Sequence, residues 1–246
     1  MILVDAGNTR IHFCWAKMGA IRRHFSLPTC QASLAGIKKA VARYPEAVIL
    51  VCSVVPRVTA LFKRLPGQVY IAGQDLKVPI QSLYNRKQIG MDRLVGALAA
   101  QFLYPDSRII IDFGTAITFD FVSAQGVYQG GFILPGLGST VRVLSGCAML
   151  PDKIRLSKSS SRIPRNTAES ISKGMSEGFS AMINFLVKKY KKQLTLSPAS
   201  MVIITGGDGG FILKHLDFSY VFDQLLVFKG LLLSVLHRSN RFPALR

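Results

Sequence analysis

The first half of the chain alternates short apolar runs with stretches whose apolar residues recur every three or four positions. The runs are typical of buried strands and the stretches of amphipathic helices, so this half is predicted to be α/β. Thr29 is a candidate cap of the first helix, and Pro56 opens the second. The predicted elements are a hairpin over residues 2–16, strands at 47–54 and 69–72, and helices at 31–43, 56–65 and 94–103.

The second half repeats this order of strands followed by helices. Residues 150–166 are polar, basic and serine-rich, which predicts a loop. Strands are predicted at 108–112, 117–122, 127–133 and 201–205, and helices after Pro135 and at 167–189 and 225–238. The whole chain is therefore assigned to the α/β class.

One phrase occurs twice in the chain. Residues 2–9 and residues 109–116 each run from β-branched residues to an aspartate, a glycine and small polar residues. One copy alone is equally typical of an ordinary hairpin turn. Two copies, with Asp5 and Asp112 about half a chain length apart, indicate a duplicated domain. We therefore predict two domains, residues 1–106 and 107–246.

The two hairpin tips have the composition of a phosphate clamp. Their glycines let backbone N–H groups approach phosphate oxygens, and Asn8, Thr9 and Thr115 add side-chain donors. A carboxylate repels phosphate, so Asp5 and Asp112 each require a cation between themselves and the phosphate. Hydrated Mg²⁺ or a monovalent ion satisfies that requirement.

A second polar motif opens the predicted helix at 94–103. Gly90-Met91-Asp92-Arg93 places an acid beside a base, and Tyr84 precedes them in an irregular segment. An arginine for a carboxylate, a tyrosine for a hydrogen bond and an aspartate for a proton indicate a small anionic substrate whose hydroxyl attacks a γ-phosphate. The alternative is that Asp92 only stabilises the positive end of the helix.

A glycine turn follows the predicted strand at 201–205. Its sequence, Thr205-Gly206-Gly207-Asp208, leaves room for a flat nucleoside, and it is equally typical of an ordinary strand-to-helix turn. On the helix at 167–189, the apolar residues form one stripe that faces either its own domain or a partner subunit. The stripe consists of Ile171, Met175, Phe179, Met182, Ile183 and Leu186.

Composition limits the setting of the protein. No apolar stretch reaches the roughly 20 residues that span a bilayer, and the four cysteines form no C-x-x-C pair, so we expect a cytoplasmic protein with reduced thiols and no membrane partner. The net charge of +18 is scattered, with clusters only at 153–165 and 188–192. Because no zinc finger, helix-turn-helix or aromatic RNA motif accompanies it, no specific nucleic-acid partner is expected.

Seven motifs in order resemble the type III pantothenate kinases over nearly the whole chain. Any one of them is weak evidence, whereas the ordered set is strong. They are D-x-G-N-T, S-V-V-P, G-x-D-R, D-x-G-T-A-x-T, G-G-x-I-x-P-G, N-T with a downstream glycine, and T-G-G-D. That family shares a superfamily with actin, the sugar kinases and the heat-shock chaperone ATPases. The resemblance therefore implies two ribonuclease-H-like domains with a nucleotide cleft between them.

The resemblance also implies an activity and a role for each motif. The activity is ATP-dependent phosphorylation of pantothenate to 4′-phosphopantothenate, the first step of coenzyme A biosynthesis, with Asp92 as the general base. Asp112 holds a monovalent cation, K⁺ or NH₄⁺, and Mg²⁺ accompanies ATP. The implied ATP-binding residues are Asp5, Ala6, Gly7, Asn8, Thr9, Arg10, Ile11, His12 and Thr115. The implied pantothenate-binding residues are Tyr84, Gly90, Met91, Asp92, Arg93 and Thr167.

In the family, the counterpart of Thr167 reaches the site from the partner subunit, so a homodimer is implied. This chain departs from the family pattern at His12, where a lysine is common, at Lys87, where a proline follows the substrate tyrosine, and at Pro164, where a glycine is usual. Two alternatives remain open at this point. One is a non-catalytic relative that acts as a regulator, and the other is a different phosphotransferase of the superfamily.

Overall fold

The computed structural model describes residues 1–17, 20–147 and 162–236, without the side chains of residues 23 and 24. In chain order the strands are β1 (Ile2–Ala6), β2 (Arg10–Lys17), β3 (Ala20–Pro28), β4 (Ile49–Ser53), β5 (Val69–Ile71), β6 (Ile109–Phe113), β7 (Ala116–Val122), β8 (Tyr128–Pro135), β9 (Val202–Gly206) and β10 (Tyr220–Phe222). The helices are α1 (Leu34–Val41), α2 (Pro56–Lys63), α3 (Met91–Leu103), α4 (Leu137–Ser145), α5 (Thr167–Gln193) and α6 (Leu226–Leu236).

The two five-stranded sheets have the same strand order. The first sheet is β3-β2-β1-β4-β5, and the second, written in the same sense, is β8-β7-β6-β9-β10. In the first sheet β1 runs antiparallel to β2 and parallel to β4, and in the second β6 runs parallel to β9. Each half of the chain has thus built the same order of five strands, which confirms the predicted α/β fold with a duplicated domain.

The structure divides into two compact units. The first comprises Met1–Pro105, Phe121–Gly130 and the described part of Leu225–Arg246, and the second comprises Asp106–Asp120 and Gly131–Gln224. Helix α6 packs on α3 within the first unit. A Cβ at Gly230 would overlap the Val95 carbonyl, so this glycine allows the two helices to approach closely. The division at residues 1–106 and 107–246 stays a prediction.

One hydrophobic cluster of the first unit lies on the face of its sheet that carries Phe13. Ile11 and Phe13 of β2 are buried there, and the Phe13 ring stacks on Phe25 with centroids 4.7 Å apart. Helices α1 and α2 cover this face with Ile37 and Phe62. Because successive strand residues point to opposite faces, β2 directs its even-numbered side chains to the other face.

Several elements differ from the sequence-based expectations. Strands β3 and β10 were not predicted, and α5 continues to Gln193, beyond the expected end at residue 189. Thr29 does not cap α1. Instead, Ser33 caps it, accepting a hydrogen bond from the Gly36 N–H at 3.1 Å. Most of the predicted loop at 150–166 and the end of the predicted helix at 225–238 lie outside the described residues.

Candidate active site

The first hairpin tip is fixed by three hydrogen bonds. The Gly7 N–H donates to the Arg10 carbonyl at 3.0 Å and closes the turn between β1 and β2. Thr29 holds the turn from outside, because its hydroxyl donates to the Gly7 carbonyl at 2.7 Å and its N–H donates to the Thr9 carbonyl at 2.9 Å. Asn8, Thr9 and Arg10 are exposed, so this rigid turn presents its polar groups to solvent.

A row of polar side chains crosses the first sheet beside this tip. Asp5 pairs with His12 on β2 and with Cys52 on β4, and His12 pairs with Ser26 on β3. Residues directly opposite each other on neighbouring strands share a face. Asp5, His12, Ser26 and Cys52 therefore lie on the face opposite to the Phe13 core, at the level of the tip.

Two carboxylates and a thiol influence each other at this row. Burial and the nearby Asp92 charge raise the pKa of Asp5 to about 7. Burial, together with Asp5 and Asp92, raises the pKa of the Cys52 thiol, which keeps it neutral. A cation bound near Asp5 and Asp92 would offset the Asp92 charge. It would thereby remove one of the two causes that raise the pKa of Asp5.

Gly90 allows the Asp92 carboxylate to fold back over the first turn of α3. A Cβ at Gly90 would overlap Asp92 Oδ1, and it would lie 3.5 Å from Val54, just beyond β4. Asp92 Oδ1 accepts a hydrogen bond from the Arg93 N–H at 2.8 Å. Burial raises the pKa of Asp92, whereas this bond and the Arg93 charge lower it. The carboxylate is therefore a stronger base than usual, and Arg93 partly offsets the rise in its pKa.

Tyr84 and Arg93 approach the same segment of the chain. The Arg93 guanidinium carbon lies 6.0 Å from the centroid of the buried Tyr128 ring. Two residues along, the position of a Cβ on Gly130 lies 3.4 Å from the Tyr84 ring. Met91 completes the group, since its methyl lies against Gly73. The structure thus brings Tyr84 and Arg93 to the segment Tyr128–Gly130, whereas the Met91 side chain contacts Gly73.

The departure at Lys87 is compensated by a hydrogen bond. The Lys87 N–H donates to Asn85 Oδ1 at 3.0 Å, and the Gln88 N–H donates to the Asn85 carbonyl at 3.0 Å. A proline at residue 87 would fix the backbone dihedral but could not donate the first bond. The loop after Tyr84 is therefore shaped by Asn85.

The second unit builds its own tip in the same manner. Gly114 and Thr115 connect β6 to β7, and the Ser139 hydroxyl of α4 donates to the Thr115 carbonyl at 2.6 Å. A Cβ at Gly136 would overlap the Gly114 and Thr115 carbonyls, so the start of α4 needs glycine there. Each tip therefore has a hydroxyl from a neighbouring element bound to one of its carbonyls.

Asp112 lies in a narrow space beside the glycine turn after β9. A Cβ at Gly206 would overlap Asp112 Oδ1 and the Phe113 carbonyl, and Gly206 has a φ of +93°, which favours glycine. The Asp208 N–H donates to the Phe113 carbonyl at 2.9 Å. Burial raises the pKa of Asp208, and the Arg142 charge lowers it. This turn closes tightly on Asp112.

Among the residues that the structure describes, Asp112 does not belong to a multi-residue metal cluster. Within the described ranges, no three or more His, Cys, Asp or Glu side chains cluster closely enough to hold a metal ion by themselves. Asp112 Oδ1 and the Phe113 carbonyl both lie against the position of a Cβ on Gly206, and oxygens of these two kinds are the ligands that hard cations bind.

Some predicted site residues lie apart from these groups. Ala6 and Ile11 are fully buried, so only their backbone groups are available to a nucleotide. Thr167 begins α5 as an exposed residue of the second unit, behind the cap residue Asn166, whose Oδ1 accepts from the Glu169 N–H at 2.9 Å. The Pro164 departure precedes this cap and leaves the cap bond intact.

Sequence reasoning missed the residues that support the tips. Ser26, Thr29 and Ser139 each contact a tip or one of its side chains through a bond that spans 16 to 24 residues of chain. A lone serine or threonine carries no sequence signal for such a distant bond. Cys52 was expected only to be a reduced thiol, and the pairing of β1 with β4 places it beside Asp5.

The raised pKa of Asp5 gives a testable dependence of stability on pH. The unfolded chain keeps the ordinary value of 3.8, so between about pH 4 and pH 7 only the folded state retains the proton, and the free energy of unfolding falls as the pH rises. Asp5→Asn cannot ionise. Without nucleotide or metal, it should be more stable than the wild type at pH 8, by up to about 4 kcal/mol.

Urea denaturation of both proteins at a series of pH values measures this difference. The gap should narrow steadily toward pH 4, because both states of the wild type are then protonated at Asp5. Parallel stability curves for the two proteins would contradict a raised pKa at Asp5.

Comparisons with known proteins agree with the motifs. A family model for type III pantothenate kinase matches residues 1–189. The type III pantothenate kinase of Methylacidiphilum infernorum (isolate V4) is 33% identical over 233 residues, which cover 94% of this chain and 86% of the relative. That of Persephonella marina (strain DSM 14350 / EX-H1) is 35% identical over 255 residues, which cover 94% and 96%.

A solved structure shares the fold. The activator of the 2-hydroxyisocaproyl-CoA dehydratase from Clostridium difficile, solved with bound ADPNP, has a TM-score of 0.54 at 13% identity, with 98% of this chain and 97% of that chain covered. At this identity the likeness shows a shared fold and nothing about function. Among the described helices, none is both long and apolar enough to cross a bilayer.

Proposed function

The chain belongs to the type III pantothenate kinase family, and from that premise we propose how its residues transfer phosphate from ATP to pantothenate. The observation that carries the assignment of roles is the Asp92 carboxylate, which Gly90 and the Arg93 N–H hold at the start of α3 beside Asp5. The reaction is the phosphorylation of a primary alcohol, which needs a base, an oriented acceptor and a bound phosphate chain.

Asp92 is the general base. Its carboxylate accepts the proton of the primary hydroxyl of pantothenate as that oxygen forms a bond to the γ-phosphorus of ATP. The bond between the γ-phosphorus and the oxygen bridging to the β-phosphorus breaks, and ADP leaves. Burial raises the pKa of Asp92 and makes it a better proton acceptor, while the Arg93 N–H and charge partly offset that rise.

Arg93 and Tyr84 orient the acceptor. Arg93 is held against the Tyr128 ring and binds the pantothenate carboxylate, for which a guanidinium offers a planar pair of donors. Tyr84 is 37% exposed, and we assign its hydroxyl a hydrogen bond to the substrate. Gly90 and Met91 form the adjoining wall.

The two tips bind the phosphate chain of ATP. In the first unit this role belongs to the segment from Asp5 to His12, whose turn is fixed by Thr29. In the second unit Thr115 contributes a further contact from a tip that Ser139 fixes. Rigid turns suit this role, because donors that are already in place cost no reorganisation when the charge develops.

Two cations complete the charge balance. Asp112, with the Phe113 carbonyl beside it, would hold K⁺ or NH₄⁺, and Asp5 would face the Mg²⁺ that accompanies ATP. These ions supply positive charge that offsets the negative charge of the transferring phosphoryl group. The contributions of the chain are the position of the two carboxylates and the narrow space that Gly206 leaves for Asp112.

One assay tests the proposed reaction directly. The purified protein, with ATP, Mg²⁺ and K⁺, should release ADP only when pantothenate is added. A sugar acceptor should give no release, which separates this activity from that of another phosphotransferase of the superfamily. ADP release without pantothenate dependence, or no release at all, would contradict the proposal and revive the regulator alternative.

We also propose that the protein is a homodimer in which Thr167 reaches the pantothenate site of the partner. Helix α5 carries an exposed face that its own unit does not explain. Gly174 and Gly178 are exposed, and a Cβ on either would meet no atom of the described residues within 4 Å. Phe185 lies on the same face and is 65% exposed. Exposed helix glycines cost stability, whereas two small residues one turn apart allow another helix to approach.

The apolar stripe of α5 was expected to face either its own domain or a partner subunit, and only part of it is fully buried within its own unit. Met175 and Ile183 are buried within the second unit, whereas Ile171, Phe179, Met182 and Leu186 are partly buried. The stripe thus packs in part against its own unit and leaves part of its surface accessible. A dimer interface remains our interpretation of that remaining surface.

Subunit complementation tests the role of Thr167. Asp92→Asn and Thr167→Ala chains should each be strongly impaired as homodimers. After subunit exchange, half of the dimers are mixed and each mixed dimer has one intact composite site, so activity should rise to about a quarter of the wild-type value. ADP release measures the rise, and differently tagged chains verify the exchange. No recovery after verified exchange would place Thr167 outside the partner's site.

The location of the protein in the cytoplasm and the absence of a specific nucleic-acid partner stay predictions. The net charge of +18 suits the two anionic substrates, since a positive field raises the rate at which they are encountered.

A further inference from the structure

Arg10 is anchored by a side chain that lies 16 residues away in the chain. Its Nε donates to Ser26 Oγ at 2.9 Å, and its Nη2 donates to the same oxygen at 2.6 Å. Nη2 also lies 3.4 Å from the Ser26 carbonyl oxygen. Although Arg10 is exposed, one edge of its guanidinium is fixed by these contacts.

The register of the first sheet explains why this pair forms. Arg10 pairs with Pro28, and His12 pairs with Ser26, across β2 and β3. Ser26 is therefore the diagonal neighbour of Arg10, a separation that a long side chain bridges. Alternate residues of a strand share a face, so Arg10 and Ser26 lie on the same face as Asp5, which pairs with His12.

The remaining edge of the guanidinium is available beside the tip. The Gly7 N–H bonds to the Arg10 carbonyl, which places Arg10 across the turn from Gly7. A guanidinium has five N–H donors in a planar fork, of which Ser26 engages those of Nε and Nη2. Nη1 has no hydrogen bond to any residue in the described part of the chain. The two Nη1 donors therefore suit a phosphate oxygen.

We propose that Ser26 is a positioning residue that holds Arg10 ready for the phosphate chain of ATP. This inference rests on the proposed binding of ATP at residues 5–12. Without the Ser26 hydroxyl, Arg10 samples many rotamers in solvent, and ATP binding has to restrict them. Ser26 acts through Arg10, so its effect belongs to nucleotide binding and leaves the proton transfer at Asp92 untouched.

Steady-state kinetics of Ser26 variants test the inference. Ser26→Ala should raise the KM for ATP roughly 10-fold, with kcat and the KM for pantothenate within about twofold of the wild type. Ser26→Thr retains the hydroxyl on a residue that strands accept, and it should restore the KM for ATP. Arg10→Ala should weaken ATP binding at least as much as Ser26→Ala.

The double variant provides the sharpest comparison. If Ser26 acts only through Arg10, adding Ser26→Ala to Arg10→Ala should cause no further rise in the KM for ATP. The control is Ser33→Ala in the same unit, which removes a hydroxyl bonded to the Gly36 N–H and should leave the KM for ATP unchanged. Additive effects, failure of threonine to rescue, or a normal KM for Ser26→Ala would overturn the inference.

Direct ATP binding separates this inference from the proposed reaction. Calorimetric titration with ATP and Mg²⁺, without pantothenate, should show the same weakening in Ser26→Ala and its rescue in Ser26→Thr. Those changes in a protein without pantothenate kinase activity would contradict the proposed function and retain the role of Ser26. If the enzyme is active but its ATP affinity is unchanged in Ser26→Ala, the result would contradict the role of Ser26 and leave the proposed function intact.

Discussion

Asp92→Asn should lower kcat by roughly 10² to 10⁴ while nucleotide binding changes little. Asparagine keeps the shape of the side chain and can still accept the hydrogen bond from the Arg93 N–H, but it cannot take up a proton at the reacting hydroxyl. The loss should therefore appear in kcat. Single-turnover formation of ADP with saturating substrates measures the chemical step directly.

Two further variants separate the charge of Asp92 from its position. Gly90→Ala keeps the carboxylate but places a Cβ where Asp92 Oδ1 lies, so it should also reduce kcat by displacing the base. Asp75→Asn changes an exposed aspartate elsewhere in the unit and should leave kcat unchanged. Near-normal turnover of Asp92→Asn would show that the carboxylate is not the proton acceptor.

The hairpin tips and the start of α3 could be predicted because their signals are local. An apolar run, an aspartate and a glycine specify a strand and its turn within about ten residues of chain. Because this phrase occurs twice, the sequence also predicted a duplicated domain. The two sheets then share one strand order, as a duplicated domain requires. The family resemblance was recognised in the same local segments, and the family model that matches residues 1–189 confirms the family.

Strand β3 was missed because its sequence lacks the expected pattern. It is an edge strand whose segment includes Arg22 and Arg23, and charged residues are a common feature of edge strands because they discourage pairing with other chains. Such a strand has little apolar alternation for a sequence-based prediction to detect. Because β3 carries Ser26 and leads into Thr29, failure to predict this strand also meant that the contacts of these two residues with the first tip were not predicted.

Thr29 was expected to form a capping hydrogen bond, and its hydroxyl does form a hydrogen bond to the backbone, but to a different segment of the chain. A threonine before a helical stretch is typical of a cap, yet its hydroxyl donates to the Gly7 carbonyl, 22 residues earlier. Ser33, four residues on, has the same local signal and does cap α1. Only the pairing of β2 with β3 brings Thr29 to the tip, and single-residue preferences contain no information on that pairing.

Glycines at the site were visible in the sequence, but the atoms that require them were not. Gly90 has an ordinary negative φ, and it is needed because Asp92 Oδ1 occupies the space of a Cβ. Gly206 is needed for two reasons, its positive φ and the closeness of Asp112. The sequence could suggest flexibility or room for a ligand, whereas the structure identifies a carboxylate in both places.

Removal of monovalent cations should almost abolish activity if Asp112 holds K⁺ or NH₄⁺. In Tris or sodium buffer the wild-type rate of ADP release should be very low, and it should recover when either ion is added. The physical reason is that the Asp112 charge otherwise repels the phosphates, and a bound cation both cancels it and offsets charge in the transition state. Asp112→Ala should respond weakly to both ions.

A pair of adjacent glycines provides the matched control for that site. Gly206→Ala forces a Cβ into Asp112 Oδ1 and the Phe113 carbonyl at a strained φ, so it should raise the K⁺ concentration needed for half-maximal activity or abolish activation. Gly207→Ala adds the same methyl where no atom of the described part of the chain lies within 4 Å, and it should behave as the wild type. Circular dichroism of both variants checks that they are folded.

Two results would contradict this account of the cation site. Equal wild-type rates in sodium, Tris and potassium buffers would show that Asp112 does not hold a monovalent cation. An identical K⁺ response of the two alanine variants would show that Gly206 does not shape the cation site.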